Sequence, residues 1–433
     1  MRQVTFTQPL PVLAEAQVCV VGSGPAGVSA AIASSRCGAE TLLVERYGCC
    51  GGALSVGMVQ SYSFSTNRNP SFLSGIPLEI EQRVRAANAC QDDYRGSGVL
   101  IEQEQYKLLL DNWLRDENVR VLGNAKCCAT LCEGGRLDGI VVATKAGLGA
   151  IIAKAFVDAT GDGDVAAFAG AEILKRPPEQ LQPVTVVFGV SGVDVALFKK
   201  HVNAHSDRSD SDYGLRKPFR LAAENGDWKS AKRGGAWKIT TPNGDITSFN
   251  IIAIRNVDAT DPFAATQAEI EGREQAAMAV NVLRKYGADI GFANCTLRNI
   301  AVQLGVRETR RVVGDYILTG DDVLSGREFP DAVGRFLRFM DTYGEIHRPE
   351  HGESFTIPYR ALLPKEIDGL LVAGRCISCD DRAFGAIRLM PCCAVTGQAA
   401  GTAAALSALN GVMTRGVDLE MLQRRLPLMT MDS

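Results

Sequence analysis

The sequence predicts an α/β protein in which one nucleotide-binding domain is interrupted along the chain by an inserted α+β domain. A strand, a glycine turn, a helix and a second strand follow one another in residues 17–45, and IDGLLVAGRCIS repeats the strand-into-glycine pattern near the end. A chain of 433 residues is also longer than one ordinary core requires. We therefore expect residues 1–178 and 344–433 to form the first domain and residues 179–343 to form the insert.

The first unit is a βαβ crossover of the Rossmann-like type. Residues 17–21 are an apolar run typical of a buried strand, residues 25–36 are rich in Ala and Ser and suit a helix packed closely on a sheet, and residues 40–45 are the next strand. Together they span about thirty residues, the length that a parallel crossover requires. We expect the two strands to be neighbours in a parallel sheet.

The remaining elements alternate between helices and strands until the pattern of the first unit returns. Apolar residues at spacings of three to four predict two helices within residues 70–120. The other predicted elements are strands at 119–122, 138–144, 150–159 and 184–190, a hairpin at 237–254, helices at 264–286 and 330–343, a strand in IDGLLVAGRCIS and a helix in VTGQAAGTAAALSAL. The polar segment 199–238 is predicted to be a mobile surface excursion.

The turn after the first strand has the spacing of a dinucleotide-binding loop. Gly22, Gly24 and Gly27 form GxGxxG directly after the strand. The first glycine makes the tight turn, the second lets the backbone approach a pyrophosphate, and the third lets the helix pack close to the strand. The phosphates then lie at the helix N-terminus, where free N–H groups favour negative charge. Glu45 ends the next strand, where a carboxylate can accept both ribose hydroxyls.

The nature of the dinucleotide depends on the rest of the chain. The acid at Glu45 argues only against a 2′-phosphate, so it fits NAD and FAD equally. Two further strands, in VDATGDGD and LLVAGRCIS, also end in glycine turns, and the chain has one full GxGxxG. A single site approached by three strand ends is what an extended FAD requires. The sequence therefore favours FAD as the cofactor.

With these motifs the chain resembles the FAD-dependent oxidoreductase family, a branch of the glutathione-reductase-like and fumarate-reductase-like two-dinucleotide-domain flavoproteins. The matching stretches cover almost the whole chain: VVGSGPAGVSAAI, LLVERYGCCGG, VDATGDGDVA, IRNVDATDP with EIEGREQ, GVRETRRVVGDYILTGDDV, and FTIPYRALLPKEIDGLLVAGRCIS with AIRLMP and GQAAGTAAAL. The resemblance implies FAD, covalent or non-covalent, and redox chemistry. Because the family is chemically mixed, it implies no particular substrate.

Carried over residue by residue, the resemblance implies a set of cofactor contacts. The first turn would hold the pyrophosphate, Glu45 and Arg46 would lie at the adenosine ribose, and the backbone at Ala125 or a near neighbour would meet the adenine. The helix from Gly397 to Ala404 would direct its N-terminus at the flavin, where it stabilises negative charge. The implied set is Gly22, Gly24, Pro25, Ala26, Gly27, Glu45, Arg46, Gly51, Gly52, Ala125, Thr160, Gly161, Asp162, Gly374, Arg375 and Gly397.

Redox chemistry at a flavin also needs side chains that move a proton or hold a carbonyl or carboxylate. Asp381, Arg382 and Arg388 follow the last predicted strand, and His347 is the histidine best placed before it. These four are the candidate catalytic residues. Family members commonly have a Thr-His-Glu run where this chain has CDDR from Cys379, so the proton role of that histidine does not transfer.

A second basic group, in GVRETRR, has two interpretations. Arg307, Arg310 and Arg311 either contribute to the site or belong to the scaffold. A scaffold role is favoured for Arg310 and Arg311. Their expected partners are Asp315, Asp321 or Asp322.

The thirteen cysteines, an odd number in a chain without an export signal, indicate reduced thiols rather than a disulfide framework. Three pairs are adjacent: Cys49-Cys50, Cys127-Cys128 and Cys392-Cys393. None has CxxC spacing, and with only four histidines the sequence predicts no metal site. Cys49-Cys50 are either redox partners or loop residues, and the loop role is favoured because adjacent cysteines form a strained ring when oxidised.

The overall charge and the N-terminus restrict the partners. A formal net charge of -3 with only short basic runs predicts no nucleic-acid partner. The N-terminus lacks an apolar run behind a basic start, and the longest apolar stretch is interrupted by the glycine turn, so we expect a cytoplasmic protein with no membrane segment. Whether the chain forms a homo-oligomer or works with a redox partner is left open.

Together these features predict hydride transfer between FAD and a small organic substrate bound between the FAD domain and the insert. Two alternatives remain: a flavoprotein subunit that passes electrons to a partner, and an NAD(P)H-dependent flavin reductase. The second is disfavoured because no further GxGxxG occurs in the middle of the chain.

Overall fold

The computed structural model describes residues 4–5, 7–62, 73–92, 98–204, 215–230, 236–237, 239–241, 243–342, 346–347 and 353–428. The strands are β1 (Val12–Val21), β2 (Thr41–Val44), β3 (Ser61–Tyr62), β4 (Cys90–Asp92), β5 (Val99–Ile101), β6 (Arg120–Leu122), β7 (Lys126–Glu133), β8 (Arg136–Thr144), β9 (Gly147–Asp158), β10 (Ile173–Lys175), β11 (Phe188–Ser191), β12 (Ala236–Trp237), β13 (Ile246–Asn250), β14 (Thr296–Ile300), β15 (Arg310–Val312), β16 (Ala332–Leu337), β17 (Met340–Asp341), β18 (Ile346–His347), β19 (Ser354–Pro358) and β20 (Leu370–Val372).

The helices are α1 (Pro25–Arg36), α2 (Gly75–Ala86), α3 (Gln103–Asp116), α4 (Asp164–Phe168), α5 (Val195–Ala204), α6 (Arg216–Glu224), α7 (Pro262–Tyr286), α8 (Gly320–Ser325), α9 (Phe384–Ile387), α10 (Met390–Asn410) and α11 (Leu419–Arg424). The predicted first helix has the observed bounds of α1. The mixture of strands and helices around a largely parallel sheet confirms the α/β class.

The first domain is built on a sheet with strand order β6-β2-β1-β9-β8-β7, and β20 also pairs with β9. Strands β1, β2, β6, β9 and β20 are parallel, whereas β7, β8 and β9 form an antiparallel meander. In register, Val21 lies beside Val44 on one side and Asp158 on the other, and Val372 lies beside Asp158. The carboxyl ends of the parallel strands therefore meet at one edge of the sheet, where ligands bind in open α/β folds.

Helices α1 and α10 pack closely because glycines lie at their contact. A Cβ atom on Gly397 would lie 2.1 Å from the carbonyl oxygen of Ala26, and one on Gly401 would lie 2.0 Å from that of Ala30. By length and composition α10 could cross a membrane, but 83% of its most apolar stretch is buried inside the protein. Its apolar surface thus serves the core of the first domain.

The insert has a core of its own. Buried apolar side chains from Val184 to Leu304 form a cluster separate from that of the first domain. Its sheet has the order β12-β13-β11-β14, and the stacked rings of Phe188 and Phe249, 5.3 Å apart, lie on two of these strands. Helices α5, α6 and α7 contribute further large side chains to this core, among them Phe198, Phe219 and Leu283.

The insert docks on the segment that ends in β3. Ser248 Oγ donates to the carbonyl oxygen of Met58 at 2.9 Å, and Thr247 Oγ1 donates to Gln60 Oε1 at 3.0 Å. Gln60 Nε2 in turn donates to Gln103 Oε1 at 2.8 Å. Gln60, Gln103 and Thr247, which form this hydrogen-bond network, are all buried. The network therefore fixes the insert on the first domain.

Residues near the predicted end of the insert belong to the core of the first domain. The core of the insert ends at Leu304, well before residue 343, and residues 312–340 pack in the core of the first domain. The chain returns early because β15 pairs with β10 of the first domain. Beyond these core memberships, the division into domains at 178 and 343 stays a prediction.

Two predicted elements are corrected. The helix predicted at 330–343 is wrong: the segment forms β16 and β17, because β16 pairs with β19 and a Cβ on Gly334 would lie only 2.5 Å from a methyl group of Val395 on α10. Long-range pairing has overridden local helical spacing. The segment 199–238 includes α6, whose Phe219 packs edge-to-face on Trp228 at 4.9 Å. Its residues 205–214, 231–235 and 238 lie outside the described part.

The glycine contact between α1 and α10 gives a stability prediction. Gly401→Ala removes a glycine from a helix interior, which by propensity alone would stabilise by about 1 kcal/mol. The 2.0 Å approach to Ala30 O reverses the sign, because the helices must separate, and we expect a net loss of about 2 kcal/mol in the free energy of unfolding, measured by urea denaturation.

Gly416→Ala is the matched control, since its added Cβ would meet only Val412 at 3.8 Å. Its urea midpoint should stay near that of the parent protein. Equal midpoints for both variants would show that the close contact has no such cost.

Candidate active site

A cavity of about 490 Å³, a size usual for small-molecule and cofactor sites, lies at the edge where the strand ends meet. Its wall has four parts: the glycine turn with the ends of β2 and β9, the turn after β20, residues 52–61 with the start of α10, and one face of the insert. The residues of the insert on this wall are Thr185, Asn250, Gln303, Leu304, Gly305, Val306 and Arg307.

The glycine turn leaves open space above the N-terminus of α1. Gly22 has φ +93°, and its N–H donates to Val44 O at 2.8 Å. A Cβ on Gly27 would lie 1.7 Å from Gly22 O, so this glycine allows α1 to start directly at the turn. A Cβ on Gly24 would meet nothing within 4 Å. Gly24 therefore borders the open side, where a ligand can approach the backbone.

Glu45 is buried at the end of β2 and is held by the glycine turn. Its Oε2 accepts from Ser23 N at 2.8 Å and Ser23 Oγ at 2.6 Å, and its Oε1 accepts from Tyr47 N at 2.9 Å. The Ala125 N–H donates to Glu45 O at 2.9 Å. These bonds fix the carboxylate at the cavity wall, where its remaining lone pairs can accept further hydrogen bonds.

The loop after β9 is shaped by Asp158. This buried carboxylate accepts from Thr160 N at 3.1 Å, Thr160 Oγ1 at 2.7 Å and Ala166 N at 2.9 Å. Burial raises the pKa of Asp158, although its hydrogen bonds favour the ionised form. The result is a tight turn that presents Thr160 and Gly161 to the cavity.

Arg375, in the turn after β20, carries an incompletely bonded guanidinium on the cavity wall. Its Nη2 donates to Asp162 Oδ1 at 2.7 Å, whereas its Nη1 is buried and has no hydrogen-bond partner within the described part of the chain. Burial alone would raise the pKa of Asp162, but Arg375 and Thr309 lower it overall. Asp162 thus stays ionised and orients Arg375, and the orphaned Nη1 is suited to an anionic ligand atom.

The opposite end of the cavity joins the insert to the start of α10. Gln303 N donates to Val56 O at 3.2 Å, so the insert contacts the segment that carries Gly57 and Val59 on the wall. Arg388 Nη2 donates to Asp341 O at 2.7 Å and lies 3.0 Å from Asp341 Oδ2. Both charged groups are fixed at this end.

The structure brings most of the predicted cofactor residues to one wall. Those on it are Gly22, Gly24, Pro25, Ala26, Glu45, Arg46, Gly52, Ala125, Thr160, Gly161, Gly374 and Arg375, together with the catalytic candidate Arg388. Gly27, Gly51 and Asp162 lie behind it: a Cβ on Gly51 would lie 2.8 Å from Ser55 Oγ. These three shape the wall rather than line it.

Gly397 is a correction to the predicted site. The helix starts seven residues earlier, at Met390, so Gly397 lies in its interior against Ala26. The residues of α10 on the wall are Met390 and Cys393.

Asp381 and Arg382 are corrections too, because neither lies on the cavity wall. Asp381 pairs with Arg311 and lies 3.7 Å from Arg176, and Arg382 pairs with Asp321 at 2.9 Å. The reason is local: Asp380 N donates to Leu318 O, which turns the following residues toward α8.

Two further predictions concern Arg310, Arg311 and His347. The scaffold role predicted for the arginines agrees with their ion pairs, but the predicted partners are wrong: Arg310 pairs with Asp164 and Arg311 with Asp381.

His347 lies on β18 opposite Met340 and does not line the cavity, and its Nε2 is buried without a hydrogen-bond partner among the described residues.

The sequence reasoning missed the part of the cavity wall that the insert contributes. Thr185, Asn250 and Gln303 come from three separate segments of the insert and are single polar residues in no motif. Asp341 was missed because its segment was interpreted as a helix. No local pattern could have found these residues, since only the fold brings them together.

The cysteines carry free thiols throughout. Burial raises the pKa of the Cys50 thiol to about 12, and burial also raises that of Cys49. Both therefore remain neutral thiols near neutral pH, which is unfavourable for redox nucleophiles. In the described part of the chain, no group of three or more His, Cys, Asp or Glu residues is arranged to hold a metal ion.

Asp164 on the cavity wall predicts a pH effect. Burial, with the nearby Asp162 and Asp158 carboxylates, raises the pKa of Asp164 to about 6. The folded state therefore favours the protonated acid, and stability is lost as the pH rises from about 4 through 6. For Asp164→Asn in ligand-free protein, the free energy of unfolding relative to the parent should increase over this range by on the order of 2 kcal/mol in urea titrations.

Asp321→Asn, at a side chain that is 88% exposed, is the control and should show no such trend. If the difference in free energy of unfolding between the parent and Asp164→Asn stays constant with pH, the raised pKa of Asp164 is contradicted.

Known proteins resemble this chain either in a short stretch of sequence or in structure over most of the chain. The dihydrolipoyl dehydrogenase of Vibrio parahaemolyticus is 56% identical over 48 residues, which are 11% of this chain and 10% of that protein. The p-nitrophenol 4-monooxygenase of Pseudomonas putida is 12% identical, over 95% of this chain and 84% of the other, with a TM-score of 0.48. A geranylgeranyl bacteriochlorophyll reductase-like protein of Thermoplasma acidophilum is 14% identical, over 95% and 82%, with a TM-score of 0.46.

The dehydrogenase match covers a tenth of that protein, and the structural likenesses are low, so none of them carries an argument about activity. The family comparison is broader. The family model described as FAD dependent oxidoreductase matches residues 17–426, which include the glycine turn, the whole insert and α10. The chain therefore belongs to the FAD dependent oxidoreductase family, whose members are enzymes that use FAD.

Proposed function

We propose that the protein transfers hydride between FAD and a small organic substrate that binds between the FAD domain and the insert. The observation that carries this proposal is the continuity of one cavity from the glycine turn at Gly22 to Gln303 and Arg307 of the insert. A cofactor at the turn and a substrate under the insert would share one cavity. That proximity is the first requirement of hydride transfer.

The residues at the sheet edge fit the polar half of FAD. The buried Nη1 of Arg375 has no hydrogen-bond partner in the described structure, and a phosphate oxygen would satisfy it. Gly24 leaves space at the N-terminus of α1, where the backbone N–H groups favour negative charge. Glu45, held by Ser23, is the carboxylate that would accept the ribose hydroxyls.

When bound, FAD supplies the group that accepts or gives hydride. The chain's residues would orient the substrate and exclude water from it. Leu304 and Val306 of the insert and Leu389 of the first domain make the wall apolar. Arg388, fixed by Asp341, adds a positive charge that would stabilise negative charge developing at this end.

The proposal is tested by the visible spectrum of the purified protein and by anaerobic additions. We expect a yellow protein that releases FAD on acid precipitation and bleaches with one member of a panel of hydroxy and amino acids. Bleaching by NADH or NADPH alone would favour the flavin reductase instead. Bound flavin that no small molecule reduces, together with a co-purifying redox protein, would favour the electron-transfer subunit.

Arg375 gives a quantitative prediction for cofactor binding. Arg375→Gln removes the charged donor that faces the cavity, and a lost hydrogen bond to a charged group costs about 1.5 to 3 kcal/mol. We expect FAD to bind roughly 10- to 100-fold more weakly, measured by quenching of flavin fluorescence on titration of the apo-protein.

Arg85→Gln is the matched control, because Arg85 is 45% exposed, pairs with Glu81 and Asp92 at the surface and does not line the cavity. It should leave the FAD affinity unchanged. Equal FAD affinities of the two variants would show that Arg375 does not bind the phosphates.

A further inference from the structure

A second cavity, of about 450 Å³, lies between α1, α2 and α10, and the described residues on its wall differ from those of the cavity at the glycine turn. Its volume is in the range usual for small-molecule sites. Gln398 and Thr402 of α10 lie on its wall, whereas Met390 lies on the wall of the first cavity. At a rise of 1.5 Å per residue, they follow Met390 by roughly 12 and 18 Å along the helix. The second cavity is therefore separate from the proposed FAD and substrate site.

Main-chain contacts fix the shape of this second cavity. Gly75, at the start of α2, has φ +59°, and a Cβ on it would lie 2.5 Å from Gln398 Oε1. The N–H of Ile76 donates to the same Oε1 at 2.9 Å. The first turn of α2 is thus held directly against α10, and the cavity does not depend on mobile side chains for its outline.

Glu79 is the only acid among the described residues on the wall, and arginines already satisfy it. Its carboxylate accepts from Arg36 Nη1 at 2.7 Å, from Arg36 Nη2 at 2.9 Å and from Arg83 Nη2 at 2.9 Å. Arg36 also pairs with Glu117 at 2.5 Å. Two arginines therefore balance two carboxylates, and this group of four leaves no net charge.

Arg425, which follows α11, is the other cation on the described wall. Its guanidinium hydrogen-bonds the Cys37 thiol, and no carboxylate pairs with it within the described part of the chain. Burial raises the pKa of this thiol, so the thiol is neutral near neutral pH and does not cancel the charge. The C-terminal end of α1 and the N-terminal end of α2 both reach the wall, and their opposite partial charges offset each other. A net positive charge remains at Arg425.

A hydrogen-bond donor on α10 accompanies this charge. Because Gln398 Oε1 accepts from the Ile76 N–H, its Nε2 is left as a donor, and this donor has no acceptor among the described residues. A carboxylate or phosphate oxygen can accept from a guanidinium and from an amide N–H alike, whereas a cation would be repelled by Arg425. Ala33 and Leu78 supply apolar wall for the rest of a ligand.

We propose that the second cavity binds a small molecule with a carboxylate or phosphate group, and that Arg425 pairs with this group. The inference goes beyond the proposed function and does not rest on it, because the cavity lies apart from the glycine turn and from the insert.

The test uses the protein as purified and pairs of probes that differ in charge. Glycerol 3-phosphate is compared with glycerol, and succinate with succinamide, at about 1 mM, the upper end of usual substrate affinities, and at constant ionic strength. Affinity is measured by calorimetric titration. Occupancy of the cavity is measured by the alkylation of Cys37 with N-ethylmaleimide, followed by mass spectrometry, since Cys37 is partly exposed on the wall. We expect at least one anion to bind saturably and slow this alkylation, and its neutral counterpart to do neither.

Arg425→Gln should weaken the binding of the anion by about tenfold or more, as expected when a hydrogen bond between charged groups is lost. Arg425→Lys, which keeps the charge but not the planar fork, should restore part of the affinity. Arg424→Gln is the matched control: Arg424 is the adjacent residue, is 75% exposed, pairs with Glu420 and does not line the cavity. It should bind the anion as the parent does.

The proposal is wrong if neither anion binds in this range, or if the neutral counterparts bind as well. Equal anion affinities of the parent and Arg425→Gln would also overturn it, because the anion would then bind elsewhere. Binding of only one anion would support the proposal and identify its group as phosphate or carboxylate. A protein that cannot hold FAD but passes this test would refute the proposed function and leave the second cavity's role intact.

Discussion

The close contact between α1 and α10 is the constraint on which the site depends. The N-terminal part of the chain contributes α1 and the C-terminal part contributes α10, and Gly397 and Gly401 let their backbones approach until a Cβ would collide with a carbonyl oxygen. The first residue of α10, Met390, lies on the cavity wall, and α1 begins at the glycine turn. One helix contact therefore sets the distance between the glycine turn and the start of α10 on the cavity wall.

The cofactor side of the site could be predicted from sequence because its function depends on backbone geometry. The tight turn at Gly22 and the close packing of α1 on that turn at Gly27 demand glycine, a ligand that approaches the backbone would demand it at Gly24, and the three positions leave a visible pattern. The ends of the parallel strands then place Glu45 and Arg375 at the same edge. The family model, which spans residues 17–426, supports FAD as the cofactor.

The part of the cavity wall near the insert and α10 could not be predicted in the same way. Arg388 lies on the wall, whereas Arg382, six residues earlier, pairs with an exposed aspartate, because the intervening short helix α9 turns the chain. Closeness in sequence to a motif therefore does not show whether a residue lines the cavity, because this depends on the direction of its side chain. The polar residues of the insert, such as Asn250, acquire their place through docking contacts like that of Ser248 with Met58. Such contacts are tertiary and leave no periodic signal.

The pairing of β20 with β9 has a consequence for how the chain is made. The strand that completes the site, with Arg375 in its following turn, is synthesised long after β1, β2 and β9 have left the ribosome. At usual elongation rates the interval between the end of α1 and the start of α10 is roughly 20 to 70 seconds. During this time the surface of α1 that α10 will cover is exposed, and it is rich in small residues such as Ala26 and Ala30 rather than in large apolar ones. Small side chains offer little apolar area for non-specific association. The residues that permit the close helix contact therefore also make the incomplete domain less prone to aggregate before α10 has been synthesised.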